Sequence, residues 1–458
     1  MTVSLLIIST SIVATIVGGS LGSGPPAFRQ RRSLNGITLC PFGKGKQEFG
    51  YIEVGPVNKY FYAAMEADEP DPSALPRTFI YMAGGPGGSS LNPLTRLHGP
   101  CRTTPDGKGV IPNEYSWTKH NNGIWVDAPG PTGFSEGQIE ATLEESIEHM
   151  ATFIDGVLKK HLNLNKDVHL VGSSASGMTA VTRHSSAADR EVPGVERRSQ
   201  RCDDVMMYSG VVGPYDIFYG SYKLATGRKL LPQEELDKMH DDLQKCKEEV
   251  SKCNANGPGG APVPDRCEGA VDTCEPIVQK PLEDAHISLL DVRTSPGEES
   301  KYFEFTSGKA LALLNNPSVK RELGVTKKWK ESNNGVFEAF IKYIAYDGTY
   351  YVAKLLDHGL KVLVVNGDVD YLTSAVGTRE WLFKLKGAQD YGEKLEAVTP
   401  VDLKYDRGGL LGKLWALTYS NRGKLAFIEV TGGSHRLIRN KPDGMQQAFL
   451  DFTRGGLW

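Results

Sequence analysis

Five short runs rich in apolar and β-branched residues recur along the chain. They read TFIYMAGGPGG from Thr78, GIWVDAPGP from Gly123, DVHLVGSS from Asp167, KVLVVNGDVD from Lys361 and KLAFIEVTGGSH from Lys424. Each run ends in Gly, Pro, Asp or Asn and gives way to residues with helical spacing. Between the second and third, LEESIEHMATFIDGVLKKHL places Ile147, Met150, Ile154 and Val157 on one helical face. This alternation predicts βαβ units and an α/β fold with a mostly parallel central sheet flanked by helices.

The stretch from Gly213 to Val325 breaks the pattern. It carries a long charged helix candidate from Leu231 to Val250, the Gly/Pro-rich loop NANGPGGAPVPDRC, and most of the cysteines. A helical, disulfide-tied insertion is expected, capping the carboxyl ends of the strands where ligands bind in parallel-sheet proteins. The expected organisation is a signal peptide over residues 1–23, a first core part over 24–212, the cap over 213–325 and a second core part over 326–458.

The signal expectation rests on the apolar segment Val3 to Val17, followed by small residues between Gly18 and Ser23. No Lys or Arg precedes that segment, and Arg29–Arg32 follows it; uncleaved, those charges would favour a cytoplasmic body. The RQRRS run reads equally as a processing site or as a solvated basic loop. The cysteines argue for an oxidising compartment: Cys202, Cys246, Cys253, Cys267 and Cys274 crowd one stretch, Cys40 and Cys101 lie upstream, and no pair has zinc-knuckle spacing. Disulfides, no metal and no cofactor are expected, with one thiol of the seven left over. A chain of 458 residues with 40% hydrophobic residues and a net charge of −3 has ample core and no electrostatic footprint for nucleic acid.

Candidate chemistry lies where the apolar runs end. In VHLVGSSASGM, Gly172 stands two before Ser174, and Ser176 and Gly177 follow, which suits the tight strand-to-helix turn of a nucleophile elbow. Ser173 has the branched Val171 at the corresponding position, so Ser174 is the better nucleophile. A serine needs a base, and the base an orienting carboxylate. Asp368 and Asp370 in NGDVD, and His435 in GGSH, supply these types in the order Ser, Asp, His, which is that of α/β-hydrolases. The glycines of GGPGGSS, Gly84 to Ser90, would let backbone N–H groups approach an oxyanion.

The ordered motifs resemble the serine carboxypeptidase family over nearly the whole chain after about Gly50. YMAGGPGGSS resembles the family's Trp-Leu-Asn-Gly-Gly-Pro-Gly-Cys-Ser-Ser; NEYSW and DAPGPTGFS resemble Asn-Pro-Tyr-Ser-Trp and Asp-Gln-Pro-x-Gly-x-Gly-Phe-Ser; GSSASG aligns with Gly-Glu-Ser-Tyr-Ala-Gly. LNNPSVKRELGV, NGDVDYLTSAVGTREWL and GGSHRLIRNKP complete the series. The resemblance implies an α/β-hydrolase fold, a triad of Ser174, Asp370 and His435, and an oxyanion hole formed by the N–H groups of Gly85 and Ala175.

The departures bear on specificity. The family binds the peptide's terminal carboxylate with an Asn in the glycine loop, the Glu before the nucleophile and a Glu in Glu-x-Gly-Pro; here those positions read Ala83, Ser173 and Leu97. Ala175 replaces a Tyr, Gly88 a Cys, and RLI follows the histidine. Paired carboxyl groups bind a carboxylate by sharing a proton. Without them, a lost charge-assisted hydrogen bond costs about 1.5–3 kcal/mol, or roughly ten- to a hundredfold in specificity. Gly84, Ser173, Arg96, His98 and Arg102 are the candidate substrate-binding residues, the last three as replacement cations. The expected function is hydrolysis of a peptide or small acyl substrate in the secretory pathway, secreted or in a lysosome or vacuole. An acyltransferase, or a silent hydrolase scaffold that binds or protects a partner, are the alternatives. No nucleic-acid partner, and no membrane anchor after signal cleavage, is expected.

Overall fold

The apolar runs form strands because their side chains are buried on both faces of one sheet. In the computed structural model, the described residues are 39–72, 76–188, 202–405 and 409–458. The expected signal segment and the Arg29–Arg32 run lie outside them. The strands are β1 (Gln47–Glu53), β2 (Lys59–Met65), β3 (Thr78–Met82), β4 (Cys101–Thr103), β5 (Val110–Pro112), β6 (Asn122–Val126), β7 (Val168–Ser173), β8 (Cys202–Tyr208), β9 (Lys361–Gly367), β10 (Val401–Lys404), β11 (Leu410–Thr418) and β12 (Lys424–Val430). β4 and β5 pair alone; the other ten form one sheet in the order β1-β2-β6-β3-β7-β8-β9-β12-β11-β10.

The six central strands, β6 to β12 in that order, are parallel, and an antiparallel pair completes each edge. This is the α/β-hydrolase arrangement. Alternate residues of each parallel strand feed two cores. Ile80, Val362 and Val364 join Ile147, Met150, Ile154 and Val157 of the helix Leu143–Lys160 on one face. Phe79, Tyr81, Leu363 and Val365 meet Met445, Phe449 and Phe452 of the helix Pro442–Arg454 on the other. Each such side chain contributes about 1.5–3 kcal/mol on burial, so both faces need apolar residues and the runs lose any period-two alternation.

β8 escapes the apolar pattern because it carries Asp204 in the middle of the sheet. That carboxylate is buried, accepts a hydrogen bond from Lys361 Nζ at 2.6 Å and lies 3.2 Å from His169 Nδ1, so neighbouring strands neutralise it. Ion pairing, first with His169 and then with Lys361, outweighs its burial and holds it below the usual carboxylate range.

The register keeps the carboxyl ends of the parallel strands level: Met82 pairs with Val126 and Gly172, Ser173 with Tyr208, and Gly367 with Val430. Loops leaving β3, β7, β9 and β12 therefore meet on one edge. In the region between β8 and β9, the helices Gln233–Cys253 and Pro264–Asp284 are joined by Cys246–Cys274 and Cys253–Cys267; a third disulfide links Cys40 to Cys101. The chain following these helices packs onto the site edge, where Leu289 O accepts from Tyr371 N and Leu372 N, and Leu290 O accepts from His435 N. Among the described residues, no helix is long and apolar enough to cross a membrane.

Candidate active site

β7 ends at Ser173 and the following helix starts at Ser176, leaving Ser174 in the turn with φ of +52°. A non-glycine residue in the left-handed region is strained, and it persists here because its backbone is held on three sides. Ser174 N donates to Tyr208 O at 3.1 Å, and Ser174 O accepts from Gly177 N at 3.0 Å and Val211 N at 3.3 Å. Two glycines make the turn and its cover possible. A Cβ on Gly172 would stand 2.4 Å from Ser176 O, and one on Gly84 would stand 2.5 Å from Ser174 Cβ and 3.2 Å from its Oγ. The glycine loop thus lies directly against the elbow serine.

Asp370 follows β9 and His435 follows β12. Asp370 is fully buried, and its Oδ2 lies 2.9 Å from His435 Nδ1. Thr373 secures the carboxylate through its N–H to Oδ1 at 3.0 Å and its hydroxyl to Oδ2 at 2.6 Å. With Asp370 as the acceptor, Nδ1 carries the hydrogen and Nε2 is left as the acceptor face. Ser209 Oγ donates to His435 O at 3.4 Å, so the segment after β8 braces the histidine and, through Tyr208 and Val211, the serine. The other acid of NGDVD turns elsewhere: Asp368 Oδ1 accepts from Gly432 N at 2.7 Å and its Oδ2 faces Arg228 at 3.4 Å.

Among the described residues, neither Gly85 N nor Ala175 N donates to a protein acceptor, in keeping with a place for a developing oxyanion. The glycine loop is anchored by Asp127, a residue the sequence reading did not single out. Its Oδ1 accepts from Ser89 Oγ at 2.7 Å and Ser90 N at 2.9 Å, and its Oδ2 from Phe134 N at 2.8 Å. Burial raises this carboxyl to about 6 in spite of those donors. The available signal was a lone acid immediately after the apolar run GIWV.

The other predicted residues divide. Ser173 is buried and its Oγ accepts from Tyr81 OH at 3.1 Å, while Tyr81 also bonds Tyr208 OH. Arg96 stays at the rim of the glycine loop, with Nη1 donating to Asn92 Oδ1 at 3.0 Å and to Glu331 Oε1 at 3.3 Å. His98 is not a substrate-facing cation. It is fully buried, stacked on Trp117 at 4.4 Å, and its Nδ1 accepts from Trp125 Nε1; burial lowers it to about 3, so it stays neutral. Arg102 is also withdrawn, lying 4.5 Å over the Phe305 ring with Nη1 on Thr306 O. A narrow cleft opens beside the elbow, lined by Met82, Pro86, Met150, Ala175, Met178 and Phe340 among others. Among the described residues no cluster of three or more His, Cys, Asp or Glu could hold a metal.

The model of the serine carboxypeptidase family matches residues 41–455. The chain belongs to that family. It is 25% identical over 446 residues to serine carboxypeptidase-like 48 of Arabidopsis thaliana, covering 94% of this chain and 82% of that protein. It is equally 25% identical to the vacuolar serine-type carboxypeptidase ATG42 of Saccharomyces cerevisiae, over 90% of this chain and 79% of that one. Among solved structures, it superposes on the prohormone-processing carboxypeptidase Kex1 of Saccharomyces cerevisiae with a TM-score of 0.73 and 18% identity, covering 92% of this chain and 94% of that one. That likeness establishes the fold. Membership of the family supports a peptidase-type hydrolase.

Proposed function

We propose that the protein cleaves peptide or related acyl bonds through an acyl-enzyme on Ser174. The observation that carries the reading is the convergence of the strained Ser174, the glycine loop pressed against it, and the His435–Asp370 pair on one edge of the sheet. Ser174 Oγ forms a bond to the acyl carbon as its proton passes to His435 Nε2, and the carbonyl electron pair moves onto oxygen beside the Gly85 and Ala175 N–H groups. Collapse breaks the bond to the leaving nitrogen, which takes the proton from His435. Water then repeats the sequence, releasing the acid and restoring the serine. Asp370 holds the imidazole in the required tautomer.

The apolar cleft beside Ala175 suits an apolar group on the acyl side. Disulfides, and one relative named as vacuolar, support a place in the secretory pathway. One observation favours a second reading, a silent scaffold: the three positions at which the family holds a terminal carboxylate read Ala83, Ser173 and Leu97.

A chromogenic acyl ester separates the two. The proposed enzyme releases a burst of chromophore equal to the enzyme concentration, and Ser174→Ala abolishes it. A correctly folded protein with neither burst nor turnover would leave the scaffold reading.

A further inference from the structure

Asp370 is followed at once by a tyrosine, and Tyr371 is fully buried. Its N–H donates to Leu289 O at 3.2 Å, and its carbonyl accepts from Ser221 Oγ of the helix Pro214–Arg228 at 2.7 Å. Its hydroxyl donates to Val278 O of the helix Pro264–Asp284 at 2.7 Å. Burial pushes that hydroxyl well above the usual tyrosine range, so it stays protonated and keeps its hydrogen for Val278. A phenylalanine would fill the same space, and the phenol oxygen costs desolvation unless it is bonded. The oxygen is therefore there for the bond it makes.

Val278 stands one helical turn after Cys274, which is joined to Cys246. Pro276 and Pro281, on either side of it, each lack the N–H that would close a helix hydrogen bond, so this part of the helix leans on outside contacts. The bond from Tyr371 is one of these, and the disulfide is another. The chain that leaves the helix then alternates between the loops that carry the Asp370–His435 pair. Leu289 O accepts from Leu372 N at 3.1 Å as well as from Tyr371 N, Leu290 O accepts from His435 N at 2.9 Å, and Val292 N donates to Val369 O at 3.1 Å. Arg293 Nη2 adds a bond to Gly432 O at 3.1 Å. The disulfide-tied helix and the segment after it thus grip both loops whose side chains meet at 2.9 Å, Asp370 Oδ2 to His435 Nδ1.

We infer that Tyr371 is a positioning residue: through its hydroxyl the disulfide-tied helix sets where Asp370 stands, so that the cap governs the rate from outside the site. This rests on the acyl-enzyme reading above. The cost of losing the anchor is bounded by the loss of Asp370 itself, roughly 10³- to 10⁴-fold. A misplacement of about 1 Å in a reacting geometry is worth about 100-fold. Removing the hydroxyl while the backbone bonds remain should therefore cost about 10- to 100-fold.

Tyr371→Phe keeps the ring and removes the bond. Acylation by the chromogenic ester should slow about 10- to 100-fold, with KM within about twofold of wild type because no group that touches the substrate has changed. Tyr346→Phe is the matched control: it removes a 2.8 Å hydrogen bond from another buried tyrosine to the cap, at Gly260 O in the loop between the disulfide-joined helices. Its acylation rate should stay within about threefold of wild type. A double-mutant cycle gives the sharper readout, since Tyr371→Phe should change the rate of Asp370→Asn by no more than about threefold if it acts through that acid. A merely structural role would slow both backgrounds alike. Acylation within about threefold of wild type in folded Tyr371→Phe, an equal fall in the control, or a full effect beside Asp370→Asn would overturn the inference. Should Tyr371→Phe fail to fold, Cys246→Ala combined with Cys274→Ala loosens the same helix from afar and carries the test with the same limits. A wild-type burst with an overturning result removes this inference alone, whereas no burst removes the acyl-enzyme reading. Positioning is then read from the downfield proton resonance of the His435–Asp370 hydrogen bond, expected in wild type and lost in Tyr371→Phe; a resonance unchanged in the variant would overturn it.

Discussion

Gly84→Ala tests whether contact between the glycine loop and the elbow sets the reaction geometry. The added Cβ would stand 2.5 Å from Ser174 Cβ and 2.6 Å from Ser173 O. Carbon atoms rest at about 3.5–4.0 Å, so loop and elbow must separate by about 1 Å. The elbow has little freedom to yield, because three backbone hydrogen bonds hold Ser174. The loop moves instead, and it carries Gly85 N, one of the two proposed oxyanion donors. Losing one such donor costs roughly 10²- to 10³-fold in rate, or about 3–4 kcal/mol of transition-state stabilisation. Overpacking costs about 1–3 kcal/mol of stability, which a domain of this size survives. The assay is the stopped-flow acylation rate on a chromogenic ester, with thermal unfolding measured in parallel. The expected result is acylation at least about 100-fold slower in a folded protein. Acylation within about threefold of wild type in a folded Gly84→Ala protein would refute this placement of the oxyanion donors.

Asp370→Asn leaves His435 without its anionic acceptor and should lower kcat by roughly 10³- to 10⁴-fold with little change in unfolding temperature, measured on the same ester. Two buried groups make opposite contributions to the acid limb of stability. His98 is held neutral to about pH 3 in the fold but takes a proton near 6.5 when unfolded, so its contribution is lost as pH falls below 6.5, at up to about 1.4 kcal/mol per pH unit. Asp127, raised to about 6 from 3.8, binds its proton first in the fold, so its contribution grows as pH falls from about 6 towards 4. Urea unfolding between pH 4 and 6 should therefore show His98→Gln gaining on wild type as pH falls and Asp127→Asn losing ground; slopes of the same sign would contradict these assignments. Removing Cys246–Cys274, which closes a loop with a sequence separation of 28, should destabilise the helical region by about 3–4 kcal/mol on the chain-entropy model, read as earlier proteolysis between Gln233 and Asp284.

Much of the fold was legible because both-face burial leaves a mark that local pattern reading detects. All five apolar runs became parallel strands, and Ile147, Met150, Ile154 and Val157 all turned inward. β8 was not legible, although it lies at the centre of the sheet. Its Asp204 is tolerated only because Lys361 and His169 arrive from neighbouring strands, and nothing local to CDDVMMY announces them. The same blindness to distant partners explains His98. Between Leu97 and Gly99 it reads as a loop cation, but Trp117 and Trp125 stack on it and exclude water.

The candidate site follows the same division. Residue types and order pointed to Ser174, Asp370 and His435, and the level strand ends explain why such separated loops meet. Residue types alone left Asp368 and Asp370 both open, and the resemblance singled out Asp370; in the fold Thr373 holds Asp370, whereas Arg228 faces Asp368.

The most direct test of the central claim is fluorophosphonate labelling of the intact protein, with the modified peptide mapped by mass spectrometry beside Ser174→Ala and Ser173→Ala. Labelling confined to Ser174, lost in Ser174→Ala and kept in Ser173→Ala, is the predicted result. A folded wild-type protein that takes up no label, or takes it up on Ser173, would contradict the account.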